Sequence, residues 1–329
     1  MTDLVRDLDE TALLARIFPL LPAGEATLVG PGDDAAVVAA PDGRYVVSTD
    51  VLVEDFHFRR RWSTGYDVGV RAAAQNLADV AAMGARPTAL VVALAIPGDL
   101  EVAWVEGLAQ GLADACSPAG AAVVGGDLSG GPVVLVSVAV HGDLGGLPPV
   151  LRSGARPGDV VAHAGVRGVS AAGLALLEAG AASPRDGGPL APFVDGFLRP
   201  SPPLAAGPAA AQAGATAMLD VSDGLLRDAG RIARASGVAV DLSAAALAPY
   251  AAALAPAAQA LGLDDDAALA WVLSGGEDHG LLATFTAGAT LPDGFVRIGT
   301  VWAADGAPGS VTVDGRAPTG GPGWDHFRG

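Results

Sequence analysis

The sequence predicts a two-domain α/β protein of α+β character, and three observations carry that expectation. Apolar runs rich in β-branched residues alternate with segments of helical spacing, as at 45–58, 67–85 and 87–97. At 329 residues the chain is long enough for two cores of ordinary size. Between its halves runs "GDLGGLPPVLRSGARPGD" (142–159), dense in glycine and proline, which marks a join and divides the chain into 1–145 and 146–329.

The elements follow in order. "YVVSTDVLVEDFHF" (45–58) and "PTALVVALAIP" (87–97) are bounded by Pro and Gly and read as strands. Between them, "DVGVRAAAQNLADVAAMGA" (67–85) has helical spacing and a C-cap glycine at Gly84. "EVAWVEGLAQGLADACS" (101–117) repeats the helix signal, and "AAVVGGD" and "PVVLVSVAVHG" (132–142) return to strand, so the first sheet is mixed or antiparallel. The second half reads as a strand "VVAHAG", a helix around 168–180 and a proline-rich stretch at 200–208. After it come a strand at 216–224, a helix at 225–236, an Ala-rich helical region and strands at 281–285 and 295–301. No tandem repeat of fixed period is present.

Hydrophobic residues are 51% of the chain but aromatics only 5%, so the cores are expected to be built from Val, Leu and Ala. The net charge of −17 disfavours nucleic acid and anionic membrane as partners. All 19 basic residues are Arg, which removes any Walker-type lysine; a phosphate must be held by Arg, backbone N–H groups or metal ions. Cys116 is the single cysteine, so an intrachain disulfide and a Cys-based zinc site are both excluded and a reducing compartment fits. "MTDLVRDLDE" lacks the layout of a signal peptide, and Pro249 and Pro256 interrupt the Ala-rich stretch 243–261. The expectation is a cytoplasmic protein without a membrane span.

Acidic residues recur where apolar segments end beside glycine. Asp33 and Asp34 follow "GPG", Asp50 ends "VVSTD", Asp127 ends "VVGGD", Asp220 and Asp223 lie in "MLDVSDG", and Glu277 and Asp278 in "LSGGED". Asp79 lies within the helical segment as "NLAD". Each alone is an ordinary turn or cap residue. Together, with few cations nearby in sequence, they would raise one another's pKa and weaken the fold unless something positive gathers among them. Hard divalent cations meet that need, because Mg²⁺ takes oxygen ligands and is held by one or two carboxylates plus substrate phosphates. Zinc is disfavoured, since the spacing of its usual His and Cys ligands is absent. With no Lys to neutralise a polyphosphate, a nucleoside triphosphate with Mg²⁺ is the expected ligand. "GGD" (125–127) and "SGGED" (274–278) add backbone N–H groups that approach a ligand where a Cβ would obstruct it.

Assembled, these segments resemble the thiamine-monophosphate kinase family. The likeness runs through "GPGDDAAV", "STDVLVEDFHF", "NLADVAAMGA", "VVGGD", "RSGARPGD", "RPSPP", "LDVSDGL", "SGGED" and "GWDHF", nine matches in order over nearly the whole chain. That family lies within the aminoimidazole-ribonucleotide synthetase-like ATP-binding superfamily. The resemblance implies an N-terminal α/β domain (1–145) that binds ATP and Mg²⁺, forms a barrel-like mixed sheet and pairs with a second protomer in a homodimer. A C-terminal α/β domain (146–329) completes an interdomain cleft.

The resemblance also implies site residues. Metal ligands fall on Asp34, Ser48, Thr49, Asp50, Asp79, Asp127, Asp220 and Asp223, with Asp33 as a supporting neighbour. ATP contacts fall on Gly126, Asp127, Arg152 and Ser222, and thiamine-phosphate contacts on His57, Glu277 and Trp324. No residue is required as a general base, since a phosphate monoester is already an anionic nucleophile. Arg152 can fork onto phosphate oxygens and Trp324 can stack on a cationic ring. Read without the resemblance, the same three residues serve as a linker ion pair (Arg152), a strand-edge histidine (His57) and a tail residue over apolar surface (Trp324). The chain departs from the common family pattern at His279-Gly280, where Tyr-Glu is usual, at Leu128 for Thr and at Ala78 for Ser. Competing readings are another ATP-using member of the superfamily and a non-catalytic binder of nucleotide or divalent cation. Selenide or carbamoyl chemistry calls for a reactive N-terminal Cys or a Cys-bearing tail, and the second reading gains no support from an EF-hand loop.

Overall fold

The computed structural model describes residues 4–30, 36–184, 186–304, 309–319, 321, 323 and 324. The chain folds as two compact units, Met1–Val80 with Ala85–Gly146, and Ala81–Gly84 with Leu147–Gly329.

In the first unit, α1 (Glu10–Ile17) starts at Asp9, whose carboxylate accepts the Ala12 N–H at 2.7 Å. A short ribbon of β1 (Thr27–Val29) and β2 (Val37–Val38) follows. The main sheet is built from β3 (Val46–Val53), β4 (Arg86–Ile96), β5 (Ala122–Gly130) and β6 (Leu135–Asp143), in the order β3-β6-β4-β5. Only β4 and β5 run parallel. Two helices, α2 (Gly65–Ala82) and α3 (Val102–Cys116), complete the unit. They pack backbone against backbone: a Cβ at Gly69 would meet the Leu108 carbonyl at 2.1 Å and one at Gly111 the Tyr66 carbonyl at 2.2 Å. Along β4, Leu90, Val92, Leu94 and Ile96 are buried while Val91 and Ala93 are exposed, the alternation of a sheet with one covered face.

In the second unit a six-stranded sheet is formed by β7 (Val160–Ala164), β8 (Ala217–Val221), β9 (Val238–Leu242), β10 (Gly280–Phe285), β11 (Phe295–Ala303) and β12 (Val311–Val313), ordered β12-β9-β11-β7-β10-β8. Its pairs are antiparallel except β12 with β9. Around it lie α4 (Val169–Glu178), α5 (Ala191–Leu198), α6 (Ala206–Gln212), α7 (Leu225–Ser236), α8 (Ala244–Ala260) and α9 (Asp265–Ser274). One face packs Val161, Leu219 and Leu282 against α4, α7, α8 and α9; the other packs Ala162, Met218 and Leu281 against α6. Because both faces are covered, β7, β8 and β10 are buried at every residue and are mostly apolar, each with one polar residue, His163, Asp220 and Thr284.

The expected strand at 45–58 ends at Val53. Residues 54–58 form a tight turn instead, with Asp55 at φ 67° and its N–H on the Phe58 carbonyl at 2.8 Å. Pro249 and Pro256 lie inside one continuous α8, each removing a single helical N–H without ending the helix. No helix among the described residues is long and apolar enough to cross a membrane.

Candidate active site

In the first unit the candidate ligands sit where β3 and α2 face each other. Alternation along β3 turns Ser48 and Asp50 to the helix-covered side and Thr49 to the open one. The Ser48 hydroxyl donates to Asp79 Oδ2 at 2.7 Å, and the Asp50 N–H donates to Asn76 Oδ1 at 3.0 Å. Asn76 and Asp79 are three residues apart on α2, so one helical face serves both contacts. The sequence signal for Asn76 was present in "NLAD", yet only the paired strand gives it a role.

Asp127 lies elsewhere. Pairing places Asp50, Val138, Val92 and Gly126 in one row across the sheet, from edge to edge. Three strand spacings, roughly 14 Å, separate the ends of that row, and Asp127, one residue beyond Gly126, points to the opposite face. Within one chain, therefore, Asp127 is not brought to Asp50. Among the described residues no three acids or histidines form a metal-binding group. Asp33 and Asp34 lie outside the described residues.

Gly126 has a steric reason: a Cβ there would lie 2.0 Å from the Val92 carbonyl, while at Gly125 nothing stands within 4 Å. These two glycines and Asp127 border a cavity of about 830 Å³, whose apolar wall includes Leu108 and whose rim includes Tyr45 and His141. That volume suits a nucleotide-sized ligand. The Tyr45 and His141 rings stand 5.5 Å apart, and burial pushes the His141 pKa down, favouring the neutral ring.

His57 occupies the 54–58 turn. Its Nδ1 accepts the Val53 N–H at 3.1 Å, which leaves the proton of the neutral ring on Nε2. Glu54 anchors this turn, taking the Val134 N–H at 2.9 Å and pairing with Arg60.

In the second unit, β8 ends at Asp220 and Val221 and turns through Ser222, Asp223 and Gly224 into α7. The Ser222 carbonyl accepts the Glu277 N–H and the Asp223 carbonyl the Trp324 N–H, both at 2.8 Å. One turn thus gathers Ser222, Glu277 and Trp324, three residues singled out in sequence for two different ligands. Asp220 stands 3.3 Å from His279 Nδ1, and Arg231 bridges Asp223 and the fully buried Asp228. Burial pushes the Asp228 pKa up to about 6, against the opposing pull of Arg231. Arg152 is exposed, with its carbonyl accepting the Ser236 hydroxyl at 3.3 Å. Arg231, Asp228 and Arg167 carry no motif of their own in the sequence, and Asp278 figures there only as one acid of "LSGGED"; their roles come from partners that folding supplies.

A unit with a mixed four-stranded sheet and a unit with a six-stranded one, each with acids and glycines at strand ends, are the architecture of the AIR synthase related proteins that the chain matches. The chain matches the AIR synthase related protein N-terminal domain over residues 32–144 and the C-terminal domain over 156–300. It is 49% identical over 323 residues to thiamine-monophosphate kinase of Mycobacterium tuberculosis, covering 98% of this chain and 93% of that one. It is 43% identical over 305 residues to that of Corynebacterium glutamicum, covering 90% and 88%. Among solved structures, AaThiL complexed with AMPPCP and TMP has a TM-score of 0.78 at 32% identity, covering 99% of this chain and 100% of that one. E. coli HypE, a hydrogenase maturation protein, shares the fold with a TM-score of 0.68 at 19% identity, covering 95% and 98%. The chain belongs to the thiamine-monophosphate kinase family.

Proposed function

We propose that this protein transfers the γ-phosphoryl group of ATP to the phosphate of thiamine monophosphate, giving thiamine diphosphate and ADP. The observation that carries the site assignment is the convergence on the 222–223 turn, whose two carbonyls hold the Glu277 and Trp324 amides. Residues assigned to nucleotide and to acceptor then meet at one turn, joined by backbone hydrogen bonds.

In this reading a substrate phosphate oxygen attacks the γ-phosphorus directly while the bond to the β-bridging oxygen breaks, and ADP leaves. Two polyanions must be brought together, so charge neutralisation and positioning do most of the work. The 830 Å³ cavity takes the nucleoside, with Gly125 leaving backbone open to its phosphates. Arg152 forks onto phosphate oxygens. His57 donates from Nε2, Glu277 faces the cationic thiazolium, and Trp324, half exposed, stacks on it.

Every donor in the acid set is oxygen, which suits Mg²⁺ retaining part of its water shell. Ser48, Thr49, Asp50, Asp79, Asp127, Asp220 and Asp223, with Asp34 of the undescribed 31–35 segment, are the residues that would hold several such ions. When bound, Mg²⁺ neutralises the triphosphate and the charge that develops on transfer.

The open face of the first sheet, where Val47, Val51 and Val91 are exposed together, supports a homodimer. Burial pushes the lone thiol, Cys116, up to about 12, which leaves it unreactive and is compatible with a cytoplasmic setting.

The test is ADP release from ATP with thiamine monophosphate and Mg²⁺, with the product identified by mass and the metal removed and restored. Asp50→Asn and Asp220→Asn are assayed beside the wild type. Unchanged turnover in both variants overturns the assignment of roles. ATP binding without turnover on any phosphorylated vitamin favours a regulator.

A further inference from the structure

The loop between α9 and β10 contains two non-glycine residues in the left-handed region, Glu277 at φ 70° and His279 at φ 53°. That region is disfavoured for a residue with a Cβ, so something must hold the loop there. Two buried side chains connect it to the turn that opens α4. The Asp278 carboxylate accepts the Gly168 N–H at 2.6 Å and the Ser170 N–H at 2.8 Å, capping α4 from a segment 110 residues away. Arg167, fully buried, donates to the Gly275 carbonyl at 2.7 Å and lies 4.0 Å from Asp278.

The loop has no slack between these contacts. A Cβ at Gly275 would come within 2.4 Å of the Trp271 carbonyl, and one at Gly276 within 2.3 Å of the Ser222 carbonyl. Nor is the pair an economical source of stability. Burying both charges is costly, and Arg167 Nε and Nη1 find no hydrogen-bond partner. Well-packed apolar side chains often serve stability as well as such a pair; they cannot aim hydrogen bonds at Gly168, Ser170 and Gly275.

We propose that Arg167 and Asp278 are positioning residues for the acceptor substrate, keeping Glu277 in its left-handed backbone with its amide on Ser222 so that its carboxylate meets the cationic ring in one place. Neither residue is assigned a contact with substrate. The proposal rests on the reading that Glu277 contacts thiamine phosphate.

The test is a double-mutant cycle in full-length enzyme, with KM for thiamine monophosphate and for ATP measured in wild type, Asp278→Asn, Glu277→Gln and the double variant. Asp278→Asn is expected to raise KM for thiamine monophosphate on the order of tenfold while KM for ATP stays within about twofold. The double variant is expected to be no worse than Glu277→Gln alone, because the lock acts through Glu277. Effects that multiply, or an equal rise in KM for ATP, overturn the proposal. If Glu277→Gln raises KM and Asp278→Asn does not, the proposal fails and the reading of Glu277 stands. If Glu277→Gln leaves KM unchanged, the reading itself fails and takes the proposal with it. Arg167→Lys, which keeps the charge but loses the forked geometry, enters the same cycle if Asp278→Asn does not fold.

Discussion

The candidate acids of the two units differ in what surrounds them. In the second unit Asp228 is matched by Arg231, Asp278 by Arg167 and Asp220 by His279, with the acids buried or nearly so. In the first, Asp79 takes a hydroxyl, Asp50 rests its amide on a carboxamide, and Asp127 is exposed at the end of a glycine pair. An acid buried beside an Arg of its own chain, as Asp228 and Asp278 are, is largely settled as structure, whereas an exposed one such as Asp127 can meet an outside cation. The largest expected effect follows. Asp50→Asn should lower kcat/KM by on the order of 10³-fold, about 4 kcal/mol of transition-state stabilisation. Asp220→Asn should cost activity and stability together, since it also disturbs the pairing with His279. Equal loss of stability in the two variants, measured by thermal unfolding, would break the comparison.

The second prediction concerns the acid that folding has settled most completely. Arg231→Ala leaves Asp228 without its guanidinium in a site that excludes water. The expected loss is about 3 kcal/mol of unfolding free energy, read from urea denaturation near neutral pH. A loss below about 1 kcal/mol would place this pair with ordinary surface pairs.

Next comes an effect that varies with pH. His163 is fully buried, its Nδ1 lies 3.3 Å from the Tyr250 hydroxyl, and burial, reinforced by nearby Arg167, holds its pKa well below 6.5. The native state then binds no proton there, whereas the unfolded chain does once pH falls below about 6.5. Stability is therefore lost as pH falls, by up to about 1.4 kcal/mol per pH unit from this one residue. His163→Gln should remove one proton from the slope of unfolding free energy against pH between 6.5 and 5. An unaltered slope would show that His163 titrates in the native state.

Much of the fold was legible because periodicity is local. The helices at 101–117 and 225–236 appear at 102–116 and 225–236, and the strands at 87–97 and 281–285 within a residue of their expected bounds. What was illegible depended on distant partners. The 45–58 run stops at Val53 because Glu54 turns to Val134 and Arg60, and β9 is too short to be separated from the Ala-rich helix after it. The site divides the same way. The acids and glycines announce themselves by position, and the 222–223 turn gathers Ser222, Glu277 and Trp324. The separation of Asp50 from Asp127 is a fact of strand order, which no motif encodes.

The smallest expected effect tests the comparison from the other side. Arg86 pairs with Glu25 at 2.7 Å in the first unit, as close an approach as many buried pairs, but the two side chains are 44% and 72% exposed. Water screens the attraction and already solvates both groups, so ordering two long side chains offsets most of the gain. Arg86→Ala should change unfolding free energy by less than about 1 kcal/mol, and less still at high salt. Both variants remove an Arg from a close carboxylate contact, but Arg231 also bridges Asp223, so the larger effect expected of Arg231→Ala combines the burial of Asp228 with the loss of a second pair. If Arg86→Ala proved as damaging as Arg231→Ala, burial would not be what separates Asp228 from an ordinary surface acid.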